Sequence, residues 1–252
     1  MNAFQSRIAL TVTILALALS APAARGDEDL QELVNDARDT ITRFTADPNM
    51  DWFRDNAEAA NGLLVVPRLW RGGFFFGGSG GSGVLLARHL ETGTWSYPAF
   101  YTIGSVSVGP QIGAEQAEVV LMIMTQRGLD SMLATSVKLG ADISVAAGPV
   151  GTGAKAATAD ILAFSRSKGL YGGVTVEGAV IAARHSWNEA YYRRPVRPLD
   201  ILFERTARNP SADPLREAVT RVAGIVRSEP GQPTATLRRS PAASAPRGQM
   251  SY

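Results

Sequence analysis

GGFFFGGSGGSGVLL, residues Gly72–Leu86, is the stretch on which the fold turns. It contains Gly77-Gly78-Ser79-Gly80-Gly81, a literal G-x-S-x-G. In a hydrolase, that pattern sets a serine on a strained strand-to-helix turn beside an oxyanion hole. His185 and an acid, Asp142 or Asp160, follow in the chain order that such a triad requires. Against this, the motif lies inside an unbroken Gly/Ser run, Gly77–Gly83, where matches arise by composition alone. The Val84–Leu86 that follows starts β-branched and has no helical register. The run therefore reads as a glycine hairpin between strands, with a serine hydrolase centred on Ser79 as the alternative.

Outward from this run the chain keeps the same character. Leu63–Pro67, Gly73–Phe76, Val84–Arg88, Ala99–Val108 and Val119–Thr125 are short β-prone segments separated by glycine, proline and serine. Glu91-Thr92-Gly93 forms the tip of a turn over His89–Gly93. Arg127–Leu139 reads as one helix, with Leu129, Met132, Leu133 and Val137 on its apolar side. Ala141–Ala147, Ile161–Ser165, Leu170–Val176 and Val180–Ala183 resume the strand pattern. Most spacers are too short for βαβ crossovers. The expected fold is α+β: a mainly antiparallel, glycine-rich sheet or partly closed barrel, packed with helices at both ends.

Those helices are periodic. Asp27–Ala46 places Leu30, Leu33, Val34, Ala37, Ile41 and Phe44 at steps of three and four, with acids crowding its first turn. Asp47-Pro48 is a cap and first residue for a second helix, with Met50, Phe53, Ala57 and Ala60 inward and Asn61-Gly62 as its stop. Arg25–Glu58 carries ten acidic and four basic side chains, so an anionic bilayer would repel it and its stripe reads as core. Pro214–Val226 is a last amphipathic helix.

The 252-residue chain contains no cysteine and only two histidines, His89 and His185. Thiolate zinc sites, disulfides and cysteine nucleophiles are excluded, and no H-x-x-x-H spacing exists for a metal. No cofactor is expected. The net charge of +2 hides an asymmetry. Arg25–Glu189 holds 13 basic and 18 acidic side chains, whereas Ala190–Tyr252 holds 11 basic and 5 acidic.

Both termini read as non-core. Ile8–Leu19 is an unbroken run of twelve apolar residues and threonines after Arg7, followed by Ala21-Pro22-Ala23, the pattern of a cleaved signal peptide over residues 1–23. Twelve helical residues span about 18 Å, short of the ~30 Å hydrocarbon core. The domain is then expected over 24–227. Residues 228–252, rich in proline, alanine, serine and arginine, form a basic tail expected to be disordered. An exported protein, periplasmic or secreted, is the expectation.

Two segments offer phosphate chemistry. Gly148-Pro149-Val150-Gly151-Thr152-Gly153-Ala154-Lys155 resembles a nucleotide loop in outline only. Ala154 intervenes before the lysine, and Ala156 stands where a magnesium-binding hydroxyl belongs. Gly148, Gly151 and Gly153 could still present backbone N–H groups, beside Lys155, to a phosphate head group. Arg193, Arg194 and Arg197 follow Trp187, Tyr191 and Tyr192, a mixture suited to a water–lipid boundary; a packed helix end with solvated arginines is the plainer reading. Stacking on nucleic acid is not expected after so acidic a region. Glu177 stands between a strand and Gly178, with Arg184 as a candidate partner.

Six ordered blocks carry a resemblance: Asn61–Pro67 (NGLLVVP), Gly72–Leu86, Gly93–Phe100 (GTWSYPAF), Gly140–Val150 (GADISVAAGPV), Ser165–Gly169 (SRSKG) and Leu170–Gly178 (LYGGVTVEG). From about Asp29 to Leu202 the chain resembles the SYLF domain family, lipid-binding domains also known from yeast actin-patch members. The resemblance implies phosphoinositide or phospholipid binding, no catalytic set, and, for bacterial relatives, export. Tyr191-Tyr192 is followed by Arg193-Arg194 where relatives commonly show an aromatic-glycine pair, so the arginine cluster is partly individual to this chain. Actin is not expected as a partner of an exported protein. The expected function is non-enzymatic contact with anionic phospholipid or another envelope component, through Gly148–Lys155 and Arg193, Arg194 and Arg197. An envelope protein-binding scaffold is a further alternative.

Overall fold

The computed structural model describes residues 27–73, 76–108, 113–149, 158–167, 170–173 and 176–224. The expected signal peptide, the basic tail, and Gly151, Gly153 and Lys155 lie outside them.

Helix α1 (Asp27–Ala46) forms where the apolar period demands it, and Leu30, Leu33, Val34, Ala37, Ile41 and Phe44 are all buried. Pro48 disfavours helical backbone at Asp47, which ends the helix. The Asp47 carboxylate accepts from the Asn49 amide at 2.8 Å, capping the turn that leads into α2 (Asp51–Asn56).

Strand β1 (Gly62–Gly73) lies in the middle of the sheet, antiparallel to β2 (Phe76–Ala87) on one side and β4 (Gly113–Ile123) on the other. Beyond β2 come β3 (Ala99–Val108), β9 (Val180–Ala183) and β5 (Ser136–Lys138). Beyond β4 comes β7 (Ile161–Ser167), whose outer edge takes β6 (Val145–Ala147) in parallel and β8 (Leu170–Gly173) antiparallel. The β6–β7 pair is the one parallel ladder among the described strands. The α+β architecture with a mainly antiparallel sheet is as the sequence predicts.

The glycine run differs from its expectation. Gly77–Gly83 lies inside β2, and the physical reason is a bulge in β1. Val65 faces Val84 and Arg68 faces Ser82, so Val66 and Pro67 stand against Gly83 alone. Pro67 suits this position because it has no N–H to give the ladder. The bulged backbone presses on β2: a Cβ on Gly83 would sit 2.3 Å from the Val65 carbonyl oxygen, and one on Gly81 2.6 Å from that of Arg68. These glycines serve close approach between strands.

Two further boundaries move. The expected helix 127–139 is only α3 (Gln126–Ser131), capped by the Thr125 hydroxyl, which accepts from the Gly128 amide at 3.0 Å. Val137 belongs to β5, where it is buried opposite Ile181. The strand expected at 141–147 is confined to β6, because Gly140 turns at φ +83° and the Asp142 carboxylate accepts from the Lys138 amide at 2.7 Å.

Leu63–Val66, Val84–Leu86, Val119–Ile123 and Ile161–Phe164 are buried without alternation, so this end of the sheet is covered on both faces. The Tyr101 hydroxyl donates to the Met132 carbonyl at 2.8 Å, tying β3 to the turn after α3. Helices α4 (His185–Tyr192), α5 (Pro198–Leu202) and α6 (Asp213–Gly224) complete the body, with α6 packed along α1.

Candidate anion-binding site

Ser79 stands on β2 directly opposite Ser105, and the two hydroxyl oxygens are 2.8 Å apart. His185 opens α4 just past Arg184, whose amide donates to the Phe100 carbonyl at 2.9 Å. Phe100 and Ser105 are five residue steps apart on β3, roughly 16 Å along the sheet. Asp160 is engaged elsewhere. It accepts from the Thr125 hydroxyl at 2.7 Å and the Ser144 amide at 3.2 Å, and it pairs with Arg127 and the Ser144 hydroxyl. The Arg127 guanidinium, then Ser144, hold the Asp160 carboxyl well below the usual carboxylate range. Asp142 caps a turn. Ser79, His185 and the two acids form no relay.

Gly148 is a core glycine. Its amide donates to the Ala163 carbonyl at 2.8 Å, and a Cβ there would lie 2.4 Å from the Phe164 ring. That amide is engaged by the fold, so Gly148 is not a phosphate donor, in correction of its expected role. Glu177 and Arg184 also part company. Glu177 packs beside Gly140, where a Cβ would come within 2.5 Å of its Cγ, while Arg184 stacks 4.2 Å over the Trp187 ring.

Helix α4 sets the arginine cluster. Its aromatics are core and not a boundary layer: Trp187, Tyr191 and Tyr192 are buried. The Tyr192 hydroxyl donates to the Pro98 carbonyl at 2.7 Å, the Tyr191 hydroxyl to Gln31 Oε1 at 3.0 Å, and the Tyr191 ring meets Phe100 edge-on. The helix stops at Arg193, whose left-handed backbone (φ 53°) returns its amide to the Ala190 carbonyl. Arg193 and Arg194 thus emerge at the negative end of a helix, where cations are favoured, and both are exposed.

Arg197 stands at the start of α5. Its amide donates to Asp200 Oδ2 at 2.7 Å and its guanidinium pairs with Asp200 Oδ1 at 3.1 Å, capping α5. That hydrogen bonding lowers the Asp200 carboxyl. Arg197 is therefore a structural cap with a partly neutralised charge.

The fold adds a cation that spacing did not reveal. Arg193 and Arg208 line one open cavity of about 510 Å³ with Gln31, Tyr191, Asn209 and Ser211. Asn209 holds the wall: its side-chain amide donates to the Tyr191 carbonyl at 3.2 Å, and its Oδ1 accepts from the Ser211 amide at 3.1 Å. Two arginines lining one open cavity suit an oxyanion that can accept paired hydrogen bonds. Among the described residues no group of three His, Asp or Glu side chains is placed to hold a metal, and no helix is long and apolar enough to cross a membrane.

Fold and site together define an α+β domain with a glycine-rich antiparallel sheet and a cationic corner at the end of α4. Residues 104–222 match the family model Ysc84, described as Las17-binding protein actin regulator. Over these residues the chain is similar to this family. LAS seventeen-binding protein 3 of Saccharomyces cerevisiae is 37% identical over 169 residues, 64% of this chain and 36% of the relative. Protein YSC84 of the same yeast is 36% identical over 164 residues, 62% of this chain and 35% of the relative. The human SH3 domain-containing YSC84-like protein 1 is 32% identical over 164 residues, 63% of this chain and 47% of the relative. The match spans from about a third to about half the length of these relatives. No solved structure matches the chain.

Proposed function

We propose that this protein is a non-catalytic binding protein of the cell envelope, exported by its N-terminal leader, that takes the anionic head group of a phospholipid at the corner after α4. The observation that carries this reading is the convergence of Arg193 and Arg208 on one open cavity, with Arg194 exposed beside them. Guanidinium forks at a surface bind phosphate in two-point fashion without needing a buried pocket. Each near-surface cation contributes about 1 kcal/mol on an anionic leaflet, so binding is reversible and salt-sensitive. Lys155 and the glycines Gly151 and Gly153 belong to this proposal as an auxiliary phosphate loop, and Arg197 as a weaker outer charge.

Co-sedimentation with phosphatidylglycerol-containing and pure phosphatidylcholine vesicles, at low and high salt, tests it. Binding to the anionic vesicles alone, lost at high salt, is expected; equal absence of binding to both overturns the reading. A protein-binding scaffold is the second reading, favoured by the name of the yeast relative, a LAS seventeen-binding protein. Crosslinking in intact envelopes that returns one discrete protein, with no vesicle binding, would favour it. Actin is not the partner proposed, since the leader points out of the cytoplasm.

A further inference from the structure

The same strands carry a second surface, remote in chemistry from the cationic corner. Trp70 faces Gly80 across β1–β2, Gly80 faces Gly104, and Gly104 faces Val180. Directly paired residues share a face, so two bare glycines separate Trp70, 56% exposed, from Val180, 40% exposed. The next row outward is Gly72, Gly78 and Val106, the last 94% exposed. A Cβ on Gly80 would meet nothing within 4 Å. The result is an open shelf with a backbone floor and one large aromatic wall.

Its rim is acidic. A cavity of about 390 Å³ beside Trp70 is lined by Asp29, Glu32, Leu33, Arg68 and Ser82. Arg68 is engaged by Glu32 at 3.1 Å and by Asp36, whereas Asp29 makes no ion pair among the described residues. Three carboxylates against one guanidinium repel an anionic head group and favour a cation. An aromatic wall with a bare floor and an acidic rim is the chemistry that receives proline rings and arginines from an extended chain.

We infer that this shelf is the docking site of the chain's own C-terminal segment, residues 225–252. That segment carries Arg227, Arg238, Arg239 and Arg247 against Glu229 alone, with Pro230, Pro233, Pro241 and Pro246 among them. It starts where α6 ends, at Gly224. The start of α6 lies against the early turns of α1, since the Gln31 side chain donates to the Ser211 carbonyl at 3.0 Å. To return, the tail must cover the length of α6, about 18 Å, and the breadth of α1, about 10 Å. Fourteen residues reach Arg238, and fully extended they span roughly 46 Å. Tethering raises the local concentration of the tail to the millimolar range, so individually weak contacts fill the site. The acidic first helix and the basic C-terminal segment, opposite in charge, thereby complete each other.

Acrylamide quenching of tryptophan fluorescence tests this. The difference between each chain and its Trp70→Phe counterpart isolates Trp70 from Trp52, Trp95 and Trp187. Removing residues 225–252 should raise the Trp70 quenching constant at least about twofold, as an aromatic anchor loses its cover. The double substitution R238E/R239E in the full chain should do the same, and so should about 1 M NaCl, which screens charges beyond ~3 Å. Equal quenching in the full chain, the shortened chain and R238E/R239E overturns the inference. Protection that grows with protein concentration overturns the intrachain assignment in favour of a second copy.

Discussion

Leu63–Val66 and Trp70–Gly73 are two ends of one strand, yet they live in different environments. The first four residues are buried with both faces covered; past the Pro67 bulge, Arg68, Trp70 and Gly72 are exposed and Leu69 alone is buried among its neighbours. The partner strands repeat the contrast, from Val84–Leu86 to Gly78–Gly80 on β2 and from Phe100–Ile103 to Ser105–Val106 on β3. Hydrophobic burial at one end fixes the sheet. At the other end the ladder continues on backbone hydrogen bonds with few side chains to pack, leaving surface available for partners.

Four substitutions probe this contrast. The largest effect belongs to Gly83→Ala, whose new methyl would meet the Val65 carbonyl; a loss of about 3 kcal/mol or more is expected in urea unfolding. Leu121→Ala, in the covered half of β4, should cost about 3 kcal/mol in the same assay. Asp160→Asn should cost about 2 kcal/mol at neutral pH by weakening bonds to Arg127, Thr125 and Ser144. Because the folded state depresses this carboxyl, its contribution is present above the unfolded value, near pH 4, and is lost as pH falls below it. The stability gap between wild type and Asp160→Asn should therefore close in acid, and a gap that widens there would contradict the assignment. Gly80→Ala, on the open half of β2, should change stability by less than about 0.5 kcal/mol.

The helices and the sheet class were legible because burial follows period: the α1 stripe and the β-branched runs are written in residue type. Register was not. Nothing in Gly77–Gly83 announces a bulge on another strand, and glycine marks both turns and close approach, so a strand interior reads as a hairpin. Val137 continued the helical spacing of Leu129 and Leu133 by coincidence, since its burial comes from Ile181 on β9. At the candidate site, the three consecutive-looking arginines were visible, but their roles were not. Asp200 three residues on claims Arg197 as a cap, and the buried rings of Tyr191 and Tyr192 belong to the core. Arg208 and Trp70 carry no local motif; each is brought to its surface by tertiary packing.

On the proposed function, anion contact belongs to the corner after α4 and the open glycine half of the sheet takes no part in it. Vesicle co-sedimentation of wild type, R193E/R194E and Gly80→Ala on phosphatidylglycerol-containing membranes tests this most directly. The double reversal is expected to weaken binding at least about thirtyfold, from about 1 kcal/mol for each cation lost, while Gly80→Ala binds as wild type. Undiminished binding by R193E/R194E, with loss in Gly80→Ala, would contradict it.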